Sequence, residues 1–467
     1  MGQPAVERLR EFLRELNPEA RALLIAELER SILRGDEASG SELILAELRR
    51  SLRGNGIKFK RVGDPIRLFY QPLEQFLVDD APDHKHRGRI ARASLEPIWM
   101  WLSGAVMPGE SSAYAGAVER ALLANDSEKA KQLADAFQEQ AAQRMQAVLD
   151  AAKNDKARRQ LDMQLGAPRA VDDVRAVIGV IAARRDLSQL NTQLPGHLKA
   201  LVGPQLENVK SQLDVVLATK PDVLVYALVL VMNRMAAGWQ LIRLATKAAG
   251  SDETARIAET PYGIAVTIVM AEVERMIREL AADLKSGRGI AVSAMLKEVH
   301  DAVRGLRTEL DIAGDAALGR QLAAMRAEIS KFLSAEVELV PGRVRRLLRP
   351  PPPKDIVPGS TIDAGEVDEL EKLVGLIVAC RNYASELAVN EVTQRTFSEL
   401  QQFLDTGART LLDGLRGAGE TDRAFRRSQV EAAVRLCGQA FGREYATLLS
   451  KAAEVAAQDH ERKAARG

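Results

Sequence analysis

Two histidines one residue apart, His84 and His86, directly follow the acidic residues Asp79, Asp80 and Asp83. Imidazole nitrogens and carboxylate oxygens are ordinary ligands of a divalent metal. At i and i+2 the two rings share a side only on an extended backbone. On a helix they would diverge by about 200°. Pro82 and Gly88 favour the extended form, so His84, His86 and Asp83 make the candidate metal set. Against it stand Lys85 and Arg87, which put positive charge beside the cation, and a zinc site would need further ligands that the sequence does not offer.

The same stretch carries a second chemistry. Lys85, Arg87, Arg89 and Arg92 lie at the start of a helix expected over 90–96, where guanidinium forks and free N–H groups suit a phosphate or an acidic partner. The competing reading is structural: the acidic and basic halves pair with each other, and Trp99 and Trp101 anchor the segment in a core. A second basic run, Arg343, Arg345, Arg346, Arg349 and Lys354, has no acid within it. It fits an anionic surface, whether nucleic acid, acidic lipid or an acidic protein groove. Its own competitor is a solvated linker held open by charge and proline. No aromatic side chain stands among these arginines, which weakens single-stranded nucleic acid as the partner.

Other chemistries lack their residues. Gly-Lys never occurs, so the P-loop signature is missing, as are H-E-x-x-H, C-x-x-C and G-x-S-x-G. Ser286 to Gly289 carries two glycines but follows a helical pattern, so it reads as a turn. His197 and His300 have no evident nucleophile and carboxylate beside them. No cofactor is implied.

The elements that position these residues read as helices. Ala, Leu, Arg and Glu recur along the 467 residues, and aromatics make up only 4%. Unbranched side chains lose little rotamer freedom in a helix, and the expectation is an all-α chain. With 65 basic and 64 acidic residues, no overall charge drives it toward nucleic acid.

Five regions follow. Residues 1–60 hold three helices, over 5–16, from Asn17 and Pro18 to about 32, and over 41–52. Residues 61–110 are irregular and rich in aromatics, with Pro97 heading a short apolar helix. Residues 111–340 form a central helical body with one long helix over 128–153. The apolar run 223–232 is too short for a bilayer and fits a buried helix. Within this body a 4-and-3 stripe runs Val292, Leu296, Val299, Val303, Leu306, Leu310, Ala313, Ala317, resuming at Leu322, Met325, Ile329 and Phe332.

Residues 341–362 are the Pro/Arg-rich linker, with four prolines at 350–353, expected to be exposed between two separately packed bodies. Residues 363–467 form a C-terminal helical bundle. It opens on Asp363 and Glu366 as a capping pair and breaks at Gly407 and at 417–419. Cys380 and Cys437 each sit on an apolar stripe and read as core residues.

The first residues are charged and amphipathic, without a secretory h-region, so the expected setting is cytoplasmic. The function expected is a non-enzymatic helical scaffold or adaptor engaging other proteins. One alternative is a metal- or phosphate-ligand protein or enzyme using 79–92. Another is a peripheral binder of anionic membrane or nucleic acid through 343–354.

Overall fold

The computed structural model describes residues 24, 65–79, 87–152, 154–166, 170–285, 292–312, 315–349, 356–387, 389–419 and 421–464. The three helices expected before residue 60, the candidates Asp83, His84, Lys85 and His86, the turn at 286–289, and the linker residues 350–354 lie outside them. Among the described residues there are seventeen α-helices and two strands of two residues each, so the chain is all-α. No helix among them is long and apolar enough to cross a membrane.

Local chemistry sets the helix ends. Asp126 accepts from the Lys129 N–H at 3.0 Å and starts Ser127–Ala151. Asn154 does the same for Ala157 at 2.8 Å and starts Asp155–Leu165. Asp363 accepts from the Gly365 N–H at the head of Ala364–Leu387. Each satisfies an orphan donor of the first turn.

The chain forms two compact units. The first comprises Met1–Gly250 and Ala258–Ala271. Its short helix Pro65–Tyr70 brings Phe69 and Tyr70 against Trp99 of Leu95–Trp101 and Phe69 against Phe137 of Ser127–Ala151, with Tyr114 of Pro108–Leu123 also beside Trp99. Tyr114 and Phe137 stack at 4.4 Å between centroids, and the buried hydroxyls of Tyr70 and Tyr114 donate to the carbonyls of Leu95 and Pro65. The aromatics of the irregular segment are therefore core. Trp99 joins this cluster half-buried, while Trp101 is buried on a helix that also meets Asp155–Leu165 and Ala170–Gln193. Leu224–Asn233 is the helix expected in the apolar run, and every residue from Leu224 to Met232 is buried. A helix apolar all round has to be interior.

The second unit comprises Ser251–Ile257 and Glu272–Gly467. Val292–Glu309, Ala316–Leu348, Ala364–Leu387, Asn390–Arg416, Arg423–Phe441 and Arg443–Ala464 pack as a bundle. Leu296, Val299, Val303 and Leu306 are fully buried, as the stripe requires, and so are Cys380 and Cys437.

Several expectations are corrected. The helix expected over 90–96 is a strand at Ile90–Ala91, paired in parallel with Leu77–Val78, then a 3-10 turn at Arg92–Ser94. The stripe from Val292 is not one helix. It stops at Glu309 and restarts at Ala316, where Asp315 accepts from the N–H groups of Ala317 and Leu318. Gly407 lies inside Asn390–Arg416 and breaks nothing.

The linker does not begin at Pro341, because Ala316–Leu348 runs through it. An interior proline costs about 3 kcal/mol. Stopping there would forgo burial of Val344, Leu347 and Leu348, which are at most 8% exposed, at about 1.5–3 kcal/mol each. Burial wins. Ala316–Leu348 also packs on Ala364–Leu387 and Asn390–Arg416, so residues 341–362 connect neighbours within one unit. The change of unit falls near Gly250 instead, inside what the sequence presents as a single central body.

Candidate functional site

The described part of the 79–92 segment is tied into the first unit. Arg87 is exposed on a turn. Gly88 follows at φ +92°, with its α-carbon so close to Leu224–Asn233 that a β-carbon would stand 2.9 Å from Val225 Cγ2. Glycine is required there twice over, by its backbone and by its neighbour.

That approach carries Arg89 across the end of the same helix. Arg89 is 8% exposed and donates to the Gln75 carbonyl and to Asn233 Oδ1, both at 3.0 Å. The Asn233 amide donates to the same Gln75 carbonyl at 2.8 Å. A cation at a helix C-terminus is electrostatically favoured.

Ala91 and Ser94 then donate to the two oxygens of Asp173, which is fully buried in the first turn of Ala170–Gln193. Arg92 pairs with Asp79 at 2.9 Å and approaches Glu74 at 3.7 Å. Arg92 with Asp79 is one such pairing of the acidic and basic halves, Asp80, Asp83 and Lys85 lying outside the described residues, and among the described residues no group of three His, Cys, Asp or Glu side chains could hold a metal. Nearby, burial pushes the Tyr226 phenol up to about 12, with Arg87 opposing and Asp173 reinforcing.

The second basic run lies on the bundle. Arg343 meets Glu369 at 2.8 Å. Arg345 pairs with Glu399 and covers the Phe403 ring at 5.7 Å, an aromatic contact brought from a distant helix. Arg346 and Arg349 are exposed, without an ion-pair partner among the described residues.

A cleft that the motifs did not indicate opens in the first unit between the 3-10 turn Gln71–Phe76, Ser127–Ala151 and Ala170–Gln193. Its volume is about 600 Å³, within the ordinary range of small-molecule sites. Arg89 and Arg92 hold the turn that forms one wall. Gln138 and Arg184 line the cleft. Gln138 donates to the carbonyls of Phe69 and Leu68 at 2.9 and 3.3 Å. Arg184 donates to those of Ile181 and Asp135 at 2.9 and 3.0 Å. No sequence signal marks these residues: they are a glutamine and an arginine on long helices, and their significance comes from the turn packed over them.

No protein-family model, curated protein or solved structure matches this chain.

Proposed function

We propose that the chain is a non-enzymatic, cytoplasmic helical scaffold or adaptor that engages other proteins. The observation that carries this reading is the use made of its charged side chains. Arg89, Arg92, Arg343 and Arg345 each bind a carbonyl or carboxylate of the same chain. They brace turns and helices that a polyanion would have to compete with. The last helix turns two large apolar side chains outward among its exposed charged residues: Leu448 and Val455 are 67% and 54% exposed. Seven residues apart, they fall within about 20° of each other around the axis, as a partner helix laid along that face would need.

The test is affinity capture with the full chain against its Leu448→Glu, Val455→Glu double variant, followed by quantitative mass spectrometry. A partner recovered near one-to-one with the parent and lost with the variant supports the reading. A chain that captures nothing in stoichiometric amount argues against it. Arg346 and Arg349, being exposed, favour the anionic-surface alternative, which predicts salt-sensitive co-sedimentation with acidic vesicles or with DNA.

A further inference from the structure

Two polar atoms in the wall of the cleft are left unanswered by the described residues. Gln138 is 2% exposed, and its amide nitrogen is committed to two carbonyls, while Oε1 is buried without a donor. The terminal nitrogens of Arg184 are committed in the same way, while Nε is buried without a hydrogen bond, its nearest carboxylate oxygen, Asp135 Oδ1, standing 3.7 Å away. Buried polar groups are normally satisfied, and each exception calls for an explanation. Here an acceptor and a donor are orphaned in the wall of one cavity. Neither is open to bulk water, so engaging them takes a small side-chain adjustment of the kind that long Gln and Arg arms allow.

The charges at the mouth are unevenly matched. Glu74 is 3.7 Å from Arg92, and Asp135 is 3.7 Å from Arg184. Lys131 lines the cleft and is exposed, with no carboxylate partner among the described residues. Arg185 is 80% exposed and only 3.9 Å from Glu139. Among the residues that line the cleft, the cations Lys131, Arg184 and Arg185 outnumber the carboxylates Glu74 and Asp135 by one, and Glu139 stands beside them at 3.7 Å from Arg184.

We propose that this cleft binds a small organic anion. Its carboxylate or phosphate is held by Lys131 and Arg185 and accepts from Arg184 Nε, and an N–H or O–H of the same molecule donates to Gln138 Oε1. Leu68, Phe76 and Leu230 supply the apolar side of the site. This assignment is independent of the scaffold reading, since a scaffold can carry a ligand site.

Calorimetric titration of the full chain tests it, with malate and adenosine monophosphate as the carboxylate and phosphate probes. Succinate is the carboxylate lacking the hydroxyl donor, and sulfate at matched ionic strength is the control. The expected result is saturable binding of malate or of adenosine monophosphate but not of sulfate. Which probe binds identifies the headgroup, and if it is malate, succinate should bind at least about tenfold more weakly. The Lys131→Ala, Arg185→Ala double variant, altered only at exposed positions, should melt like the parent and lose about tenfold or more in affinity. The proposal is overturned if neither probe binds above the sulfate control, if malate binds and succinate matches it, or if the double variant binds as the parent does.

Discussion

Arg234 reaches across the end of Ala170–Gln193 and donates to both the carbonyl and the side-chain oxygen of Asn191, at 2.6 and 2.7 Å. Its other terminal nitrogen donates to the carbonyls of Leu194 and Pro195 at 3.0 and 2.9 Å. One side chain, 6% exposed, thus satisfies the Asn191 carbonyl of the last turn and two carbonyls just beyond the end of the helix.

Arg234→Met should therefore destabilise the protein by about 3 kcal/mol, since it leaves one buried and two part-buried carbonyls without donors. Arg234→Lys should recover only part of this, because an ammonium lacks the planar fork. The urea midpoint of unfolding is the measurement, and an unchanged midpoint for Arg234→Met would show that the bonds contribute nothing net.

Gly88→Ala should cost about 2–4 kcal/mol, from the left-handed backbone and the overlap with Val225 together. Val225→Ala removes the closest contact, leaving Val229 Cγ2 at 3.1 Å and the backbone strain. The double variant should accordingly lose less than the sum of its parts, in a cycle read by the same denaturation. Strict additivity would mean that Val225 moves aside freely.

The two cysteines give the bundle an alkaline limit. Burial pushes the Cys380 thiol up to about 12, and burial with the Asp405 carboxylate does the same for Cys437. In the unfolded chain both ionise near 9. Between those values the folded state holds more protons, so this contribution to stability is complete below about pH 9 and is lost as pH rises toward 12. Replacing both by Ala should flatten the fall in melting temperature across that window. A bulky thiol reagent should label neither in the native protein at pH 8, and rapid native labelling would disprove the burial.

Pro341→Ala restores a helical N–H and removes the ring's clash with the carbonyl four residues back. It should raise stability by about 1 kcal/mol or more, read as a higher urea midpoint. A clear loss would mean that the buried ring packs better than the helix it interrupts.

The contrast between Cys380 and Pro341 shows what was legible in the sequence. Cys380 is legible as core because a stripe at helical spacing is a local signal. Pro341 reads as a helix end by a local rule that the burial of Val344, Leu347 and Leu348 outweighs. The pairing of Asp79 with Arg92 was visible as neighbouring charge. Arg89 was visible as a charge, but its partner Asn233 lies 144 residues away. Arg234, Gln138 and Arg184 take their meaning from carbonyls that distant turns bring to them, and no spacing announces that. The cleft was invisible for the same reason.

The order in which the two units draw on the chain also bears on how it is made. The first unit takes up Ala258–Ala271 only after the chain has contributed Ser251–Ile257 to the second. Within that late piece, the Tyr262 hydroxyl donates to Asp214 at 2.7 Å. A ribosome that has emitted everything through Gly250 has therefore not yet released all that its first body needs. The nascent chain must hold that body unfinished through about twenty more residues, and a gene cut after Gly250 would leave that gap permanently.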